Sequence, residues 1–251
     1  VIRRRIIPSL LLRGGRLVKG VRFADHRDAG HPVTTARAHN AQGADELILI
    51  DIDASRERRL PDFDLVARIA AECFMPLTVG GGLRSADDAR RCLDAGADKV
   101  LVNSGASDTP GLIETLAHLL GSQAVVLAVD VVDRGGGFHL FDYRGGTVLR
   151  SPDPLAWIRD GVARGAGEIR LMFVDREGTR RGFELDFSAR VLDAVRVPVI
   201  LEGGAGALTH LHAALEAGMD ALALGTMLVF SDNNLVKVRR YLASAGYAVR
   251  V

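Results

Sequence analysis

Three aspartates close aliphatic runs in this sequence, Asp51 in LILID, Asp130 in VLAVD and Asp175 in LMFVD. A carboxylate at the end of a buried run is partly desolvated and can give or take a proton near neutral pH. Two glycine clusters lie close to them, Gly80-Gly81-Gly82 and Gly203-Gly204 with Gly206. Turns of this kind between a strand and a helix expose backbone N–H groups, which suit a phosphate. The candidate phosphate ligands are Gly82, Asn103 and Ser104 on one side and Gly178, Gly204 and Thr226 on the other. Glu202 is discordant, because a carboxylate beside an anion site repels the ligand unless it is paired. It either turns outward or binds an amine or hydroxyl group.

The elements that must carry these residues follow one rhythm. Short aliphatic runs occur at Ile6–Leu12, Glu46–Asp51, Pro76–Val79, Lys99–Val102, Val125–Asp130, Glu168–Phe173, Pro198–Leu201 and Ala221–Leu224. Amphipathic helix-length segments separate them: Pro32–Gln42, Phe63–Ala71, Ser85–Ala95, Pro110–Leu120, Asp153–Arg164, Asp186–Ala194, Leu208–Ala217 and Asn233–Ser244. Ser85 and Asp153 are N-cap signals, and Gly43, Gly96, Gly121, Gly165 and Gly218 are stops. Eight such units predict one α/β domain over residues 1–251, a (β/α)8 TIM barrel with a parallel sheet covered by helices. The alternating Phe138–Tyr143 stretch, between Gly135–Gly137 and Gly145–Gly146, predicts a small hairpin inserted after strand five.

The chain also repeats itself. A shift of 122 residues places Gly81-Gly82 on Gly203-Gly204, Asp98 on Asp220, Glu46 on Glu168 and Asp53 on Asp175. A repeat this long describes two half-barrels, roughly 1–122 and 123–251, each of four units.

Charge is distributed unevenly along the barrel axis. The loops after the strands carry Arg13, Arg16, Lys19, Arg22, Arg56, Arg58, Arg59, Arg84, Arg176, Arg180 and Arg181, which predicts a basic mouth for an anionic substrate. Arg5, Glu46, Lys99 and Glu168 instead begin strands one, two, four and six, at the opposite end. Two cations and two anions there can neutralise one another as a plug. Overall the chain is nearly neutral, +1 in 251 residues, which argues against a nucleic-acid or membrane partner. Cys73 and Cys92 are isolated and fit no metal or redox spacing, so neither metal nor cofactor is expected and the setting is read as cytoplasmic.

From Arg5 to Arg250 the chain resembles the cyclase subunit family of imidazole glycerol phosphate synthase. The segments RIIPSLLLRGGRLVKGVRF, GADELILIDIDAS, PLTVGGGLRSADDA, GADKVLVNSGA, DREGT and GGAG follow that family in order. The resemblance implies a glutaminase docked on the barrel bottom, with Asp98 and Gln123 at docking positions. It implies that Arg5, Glu46, Lys99 and Glu168 gate ammonia into the barrel. Lys19, Asp51, Asp175, Glu177 and Glu202 are then expected around a phosphorylated substrate. The family's two catalytic aspartates fall on Asp130 and on Leu11, and leucine cannot transfer a proton. Glu177 stands where the family usually has aspartate.

Leu10-Leu11-Leu12 and the segment Ala71-Glu72-Cys73-Phe74-Met75-Pro76 resemble a paralogous branch associated with acetamidino modification of surface-polysaccharide sugars. That branch implies ammonia delivery to a sugar amidotransferase. The leading expectation is accordingly an ammonia-conducting subunit for sugar amidination. Its alternatives are a histidine-pathway cyclase in which Glu202 or Asp51 replaces the acid lost at Leu11, and a non-catalytic phosphate-binding barrel.

Overall fold

The structure is a computed structural model that describes residues 3–149 and 151–250. Its strands are β1 (Arg5–Arg13), β2 (Arg16–Val21), β3 (Ala24–Gly30), β4 (Leu47–Asp51), β5 (Leu77–Gly80), β6 (Lys99–Val102), β7 (Val125–Arg134), β8 (Gly137–Asp142), β9 (Thr147–Leu149), β10 (Glu168–Phe173), β11 (Val199–Glu202) and β12 (Ala221–Leu224). The helices are α1 (Pro32–Ala41), α2 (Phe63–Ala70), α3 (Ala86–Asp94), α4 (Ser104–Asp108), α5 (Gly111–Leu120), α6 (Pro154–Ala163), α7 (Asp186–Ala194), α8 (Leu208–Glu216), α9 (Thr226–Val229) and α10 (Leu235–Ser244). Strands β1, β4, β5, β6, β7, β10, β11 and β12 pair in parallel, and β12 returns to β1, closing a (β/α)8 barrel.

The expected eight units are all present, for the local reasons read from the sequence. Ser85 and Asp88 form a capping box at the start of α3. Asp153 accepts hydrogen bonds from the backbone N–H groups of Leu155 and Ala156, with Pro154 inside the first turn of α6. Strand parity then sorts the side chains. Odd positions such as Leu47, Leu49, Leu127 and Leu171 face the helices in the large outer core. Even positions such as Ile48, Val126, Ala128 and Ile200 face the barrel axis, with Ile7, Leu101, Ala221 and Ala223.

Two features differ from expectation. After Gly14 and Gly15, both at positive φ, β1 is followed by a hairpin of β2 and β3, a region read as loop. The sequence of β3, ADHRDAG, is largely exposed and lacks the apolar alternation that marks a half-buried strand. The insertion after barrel strand five is larger than one hairpin, because β7 overruns the barrel and pairs with β8, which pairs with β9. Both overruns leave the first strand of a half-barrel. The short helices α4 and α9 also begin at residues 104 and 226, which are related by the shift of 122.

Candidate active site at the barrel mouth

Asp130 lies inside β7 where that strand passes the rim, and its carboxylate is buried at 7% exposure. Its Oδ2 accepts a hydrogen bond of 2.8 Å from Asn103 Nδ2. Its Oδ1 lies 3.6 Å from Arg170 Nη1 and has no hydrogen-bond partner among the described residues. Burial, opposed by Arg170 and reinforced by the charge of Glu202, pushes the Asp130 carboxyl up to about 6. Such a group can serve as an acid near neutral pH.

The cavity that Asp130 lines also holds Leu11, Asp51, Gly82, Asn103, Ser104, Tyr143 and Arg170. The first proposed phosphate cluster is therefore gathered beside the acid. Gly82 has φ +72°, and a side chain there would collide with the Arg59 carbonyl, so only glycine fits the turn. Its N–H donates to Ser55 Oγ at 3.1 Å. Asp51 is held by Arg59 at 2.5 and 3.0 Å and caps its own loop through the N–H groups of Asp53 and Ala54.

A neighbouring cavity gathers the other cluster: Lys19, Glu177, Gly178, Glu202, Gly204 and Thr226. Gly204 has φ +108°, and a side chain there would meet the Gly182 carbonyl. Glu202 does not turn outward. It is buried at 4% exposure, and its Oε2 lies 2.7 Å from Arg170 Nε. Burial alone would raise its carboxyl, but Arg170 and Lys19 outweigh that and hold it below the usual value. Burial pushes the Lys19 ammonium down despite Glu202 and Glu177, and pushes Glu177 up despite Lys19. The expected burden of Glu202 on this cluster is thus offset by Arg170.

The strand register relates Leu11 to Asp130. Leu11 pairs with Ile50 and Asp130 pairs with Met172, and Ile50 and Met172 are related by the shift of 122. Leu11 is hence the counterpart of Asp130 in the other half-barrel, and it lines the same cavity at 5% exposure.

Two expectations about the mouth need correction. Asp175 is separate from both cavities. It follows β10 and turns aside to Arg134 at 3.0 Å and the Asp133 N–H at 2.8 Å. The basic mouth is partly neutralised, since Arg13, Arg16, Arg59 and Arg176, four of the eleven basic residues, pair with Asp53, Asp28, Asp51 and Glu184. These partners lie 8 to 40 residues away, so a count of arginines along the sequence overstates the field. Arg170 was missed altogether. Its signal is parity, because within EIRLMF it shares the inward face with Glu168 and Met172.

At the opposite end of the barrel the four expected charges form a closed ring. Arg5 lies 2.6 Å from both Glu46 and Glu168, and Lys99 lies 3.0 and 2.9 Å from the same two carboxylates. Each cation is shared by both anions, and both carboxylates are buried. Burial opposes the charge on Arg5, but Glu168 and Glu46 overcome it and raise the guanidinium. Asp98 and Gln123 are exposed on this face. Asp98 accepts from the Leu77 N–H, and Gln123 donates to the Leu120 carbonyl.

Comparison with known proteins accords with this geometry. A family model described as histidine biosynthesis protein matches residues 5–234. The chain is 41% identical over 250 residues to the imidazole glycerol phosphate synthase subunit HisF of Exiguobacterium sibiricum, covering all of both proteins. It is 44% identical over 250 residues to the same subunit of Gluconacetobacter diazotrophicus, covering all of this chain and 97% of that protein. A family match across the whole barrel and relatives at this identity leave one assignment: the chain belongs to the histidine biosynthesis protein family, beside the HisF subunits of imidazole glycerol phosphate synthase.

Proposed function

We propose that this barrel is the ammonia-using, cyclase-type subunit of a glutamine-dependent synthase. A glutaminase docks on the bottom face around Asp98 and Gln123. Ammonia enters through the Arg5–Glu46–Lys99–Glu168 ring and meets a phosphorylated acceptor beside Asp130. The observation that carries this reading is axial: a closed ring of charge lies at one end of the barrel, and at the other a buried acid with one oxygen that has no hydrogen-bond partner among the described residues. Between them the axis is lined by Ile7, Ile48, Leu101, Val126, Ala128, Ile200, Ala221 and Ala223, with the small polar side chains of Ser9 and Thr78 on the same face. A largely apolar lining of this kind passes neutral ammonia far more readily than ammonium, whose desolvation is costly.

Both named relatives are subunits of imidazole glycerol phosphate synthase, which favours the cyclase reading over sugar amidination. Leu11 favours the second reading, in which the barrel passes ammonia to a sugar-modifying partner. One experiment separates them. Purified protein is given the ribulosyl aminoimidazole nucleotide intermediate with excess ammonium and no partner. The cyclase reading expects imidazole product, and its absence, with intact fold, would move the assignment to ammonia delivery.

Phosphate binding is part of the same proposal, with Gly82, Asn103 and Ser104 at one end of the ligand and Gly178, Gly204 and Thr226 at the other. Because Arg170 offsets Glu202, both clusters are expected to take the anion. Glu202→Gln removes the negative charge and leaves Arg170, so it should raise occupancy of the second cluster relative to the first in crystals soaked with inorganic phosphate. An unchanged ratio would show that Glu202 does not influence that site.

A further inference from the structure

The repeat sorts the interior charges by half. Asp130, Arg170 and Glu202 lie on β7, β10 and β11, the first three barrel strands of the second half. Their counterparts in the first half are Leu11 by register, and Ile48 and Gly80 by the shift of 122. One half is free of charge at the three positions where the other has an acid, a base and an acid. Met172 pairs with Asp130 on one side and Glu202 on the other, so the two carboxylates lie in one row across three strands. The Arg170 guanidinium joins them, 2.7 Å from Glu202 and 3.6 Å from Asp130. All three side chains are buried.

We propose that the proton-transfer unit is confined to the second half-barrel, with Glu202 acting through Arg170 on Asp130 in place of the carboxylate absent at Leu11. The inference rests on Asp130 being the acid of the proposed reaction. A carboxylate opposite Asp130 on β1 would have tuned it directly across the cavity. Here the second charge comes from the same side, and the arginine carries its influence. Glu202 draws the guanidinium to itself at the shorter distance, which leaves the buried Asp130 Oδ1 without a hydrogen bond among the described residues. It is a positioning residue.

The charged and polar groups facing Asp130 are Arg170 on β10, Glu202 on β11, Asn103 after β6, and Asp142 on β8, itself bonded to Arg144. With the others unchanged, Glu202→Gln removes a negative charge and frees Arg170 to approach Asp130. Both effects favour the ionised carboxyl, so the Asp130 midpoint should fall by about one pH unit or more. Arg170→Met with Glu202→Gln removes both partners, leaves Lys19 with Glu177 as its carboxylate neighbour, and should raise the midpoint above that of the parent protein. Shifts of opposite sign are not what loss of packing would produce.

The test is a carboxyl NMR titration of full-length protein carrying 13C-labelled aspartate, with Asp130→Asn to assign the signal, beside ammonium-dependent turnover and melting temperature. If turnover depends on protonated Asp130, each unit of downward shift costs the single variant about tenfold at pH 7 and above. Glu202→Asp, which keeps the charge, should restore most of it. A midpoint that is unmoved in both variants, or that moves the same way in both, overturns the proposal. A parent protein that titrates as expected but never turns over the nucleotide would instead overturn the cyclase reading while leaving the coupling intact.

Discussion

Replacing Asp130 with asparagine is expected to reduce ammonium-dependent turnover by about 10²–10⁴-fold, the usual cost of losing a positioned acid. The same change should make the protein more stable above pH 6. The Asp130 carboxyl stands at about 6 in the folded protein, against about 3.9 for an unperturbed aspartate. The folded state thus holds this proton more tightly than the unfolded chain. Its contribution is fully present below about pH 4 and is lost as pH rises through 6, ending in a cost of about 2–3 kcal/mol at pH 8. Asparagine removes that titration and can still accept from Asn103. Melting curves should coincide for the two proteins near pH 4 and separate by roughly 5–10 °C at pH 8. Equal melting temperatures at both pH values, or retained turnover, would remove Asp130 from the role given to it.

The second large effect concerns the ring at the barrel floor, where a gate and a plug differ in what a mutation damages. In Lys99→Ala the carboxylates of Glu46 and Glu168 keep Arg5 between them, at 2.6 Å each. Lys99 itself retains 18% side-chain exposure. A gate that opens to admit ammonia should tolerate this loss in stability but leak. Glutamate release by a glutaminase partner would continue while less nitrogen reached product. A buried plug should instead lose about 3–5 kcal/mol, as uncompensated charge networks do, with no change in the nitrogen balance. Measuring the melting temperature together with the ratio of nitrogen incorporated to glutamate released separates the two roles.

The barrel was legible in the sequence because its signals are local. Aliphatic runs bounded by caps and glycine stops specify each unit, and the register confirms that β12 returns to β1. The β2–β3 hairpin was not, because β3 is too polar to show a buried face. Site residues divide along the same line. Asp130 and the floor ring could be placed from their positions in runs. Asp175 looked equivalent to Asp130, yet it follows β10 and its orientation is set by Arg134, a contact across 41 residues. Arg170 was hidden for a different reason. Its charge only makes sense beside Glu202 and Asp130, on strands that the fold makes neighbours. Glu202 itself was visible as a discordant residue, but the sign of its effect depends on the arginine.

Nitrogen is expected to travel through the barrel from floor to mouth. The direct measurement supplies the complex of this chain and a glutaminase with amide-15N glutamine, the nucleotide intermediate and a large excess of unlabelled ammonium in solution. The label in the imidazole product is then read by mass spectrometry at a pH where free ammonia is scarce. Passage through the interior predicts product that is predominantly 15N despite the unlabelled pool. Product labelled only in proportion to the mixed ammonium in solution would mean that the ring is a plug and that nitrogen reaches Asp130 from outside.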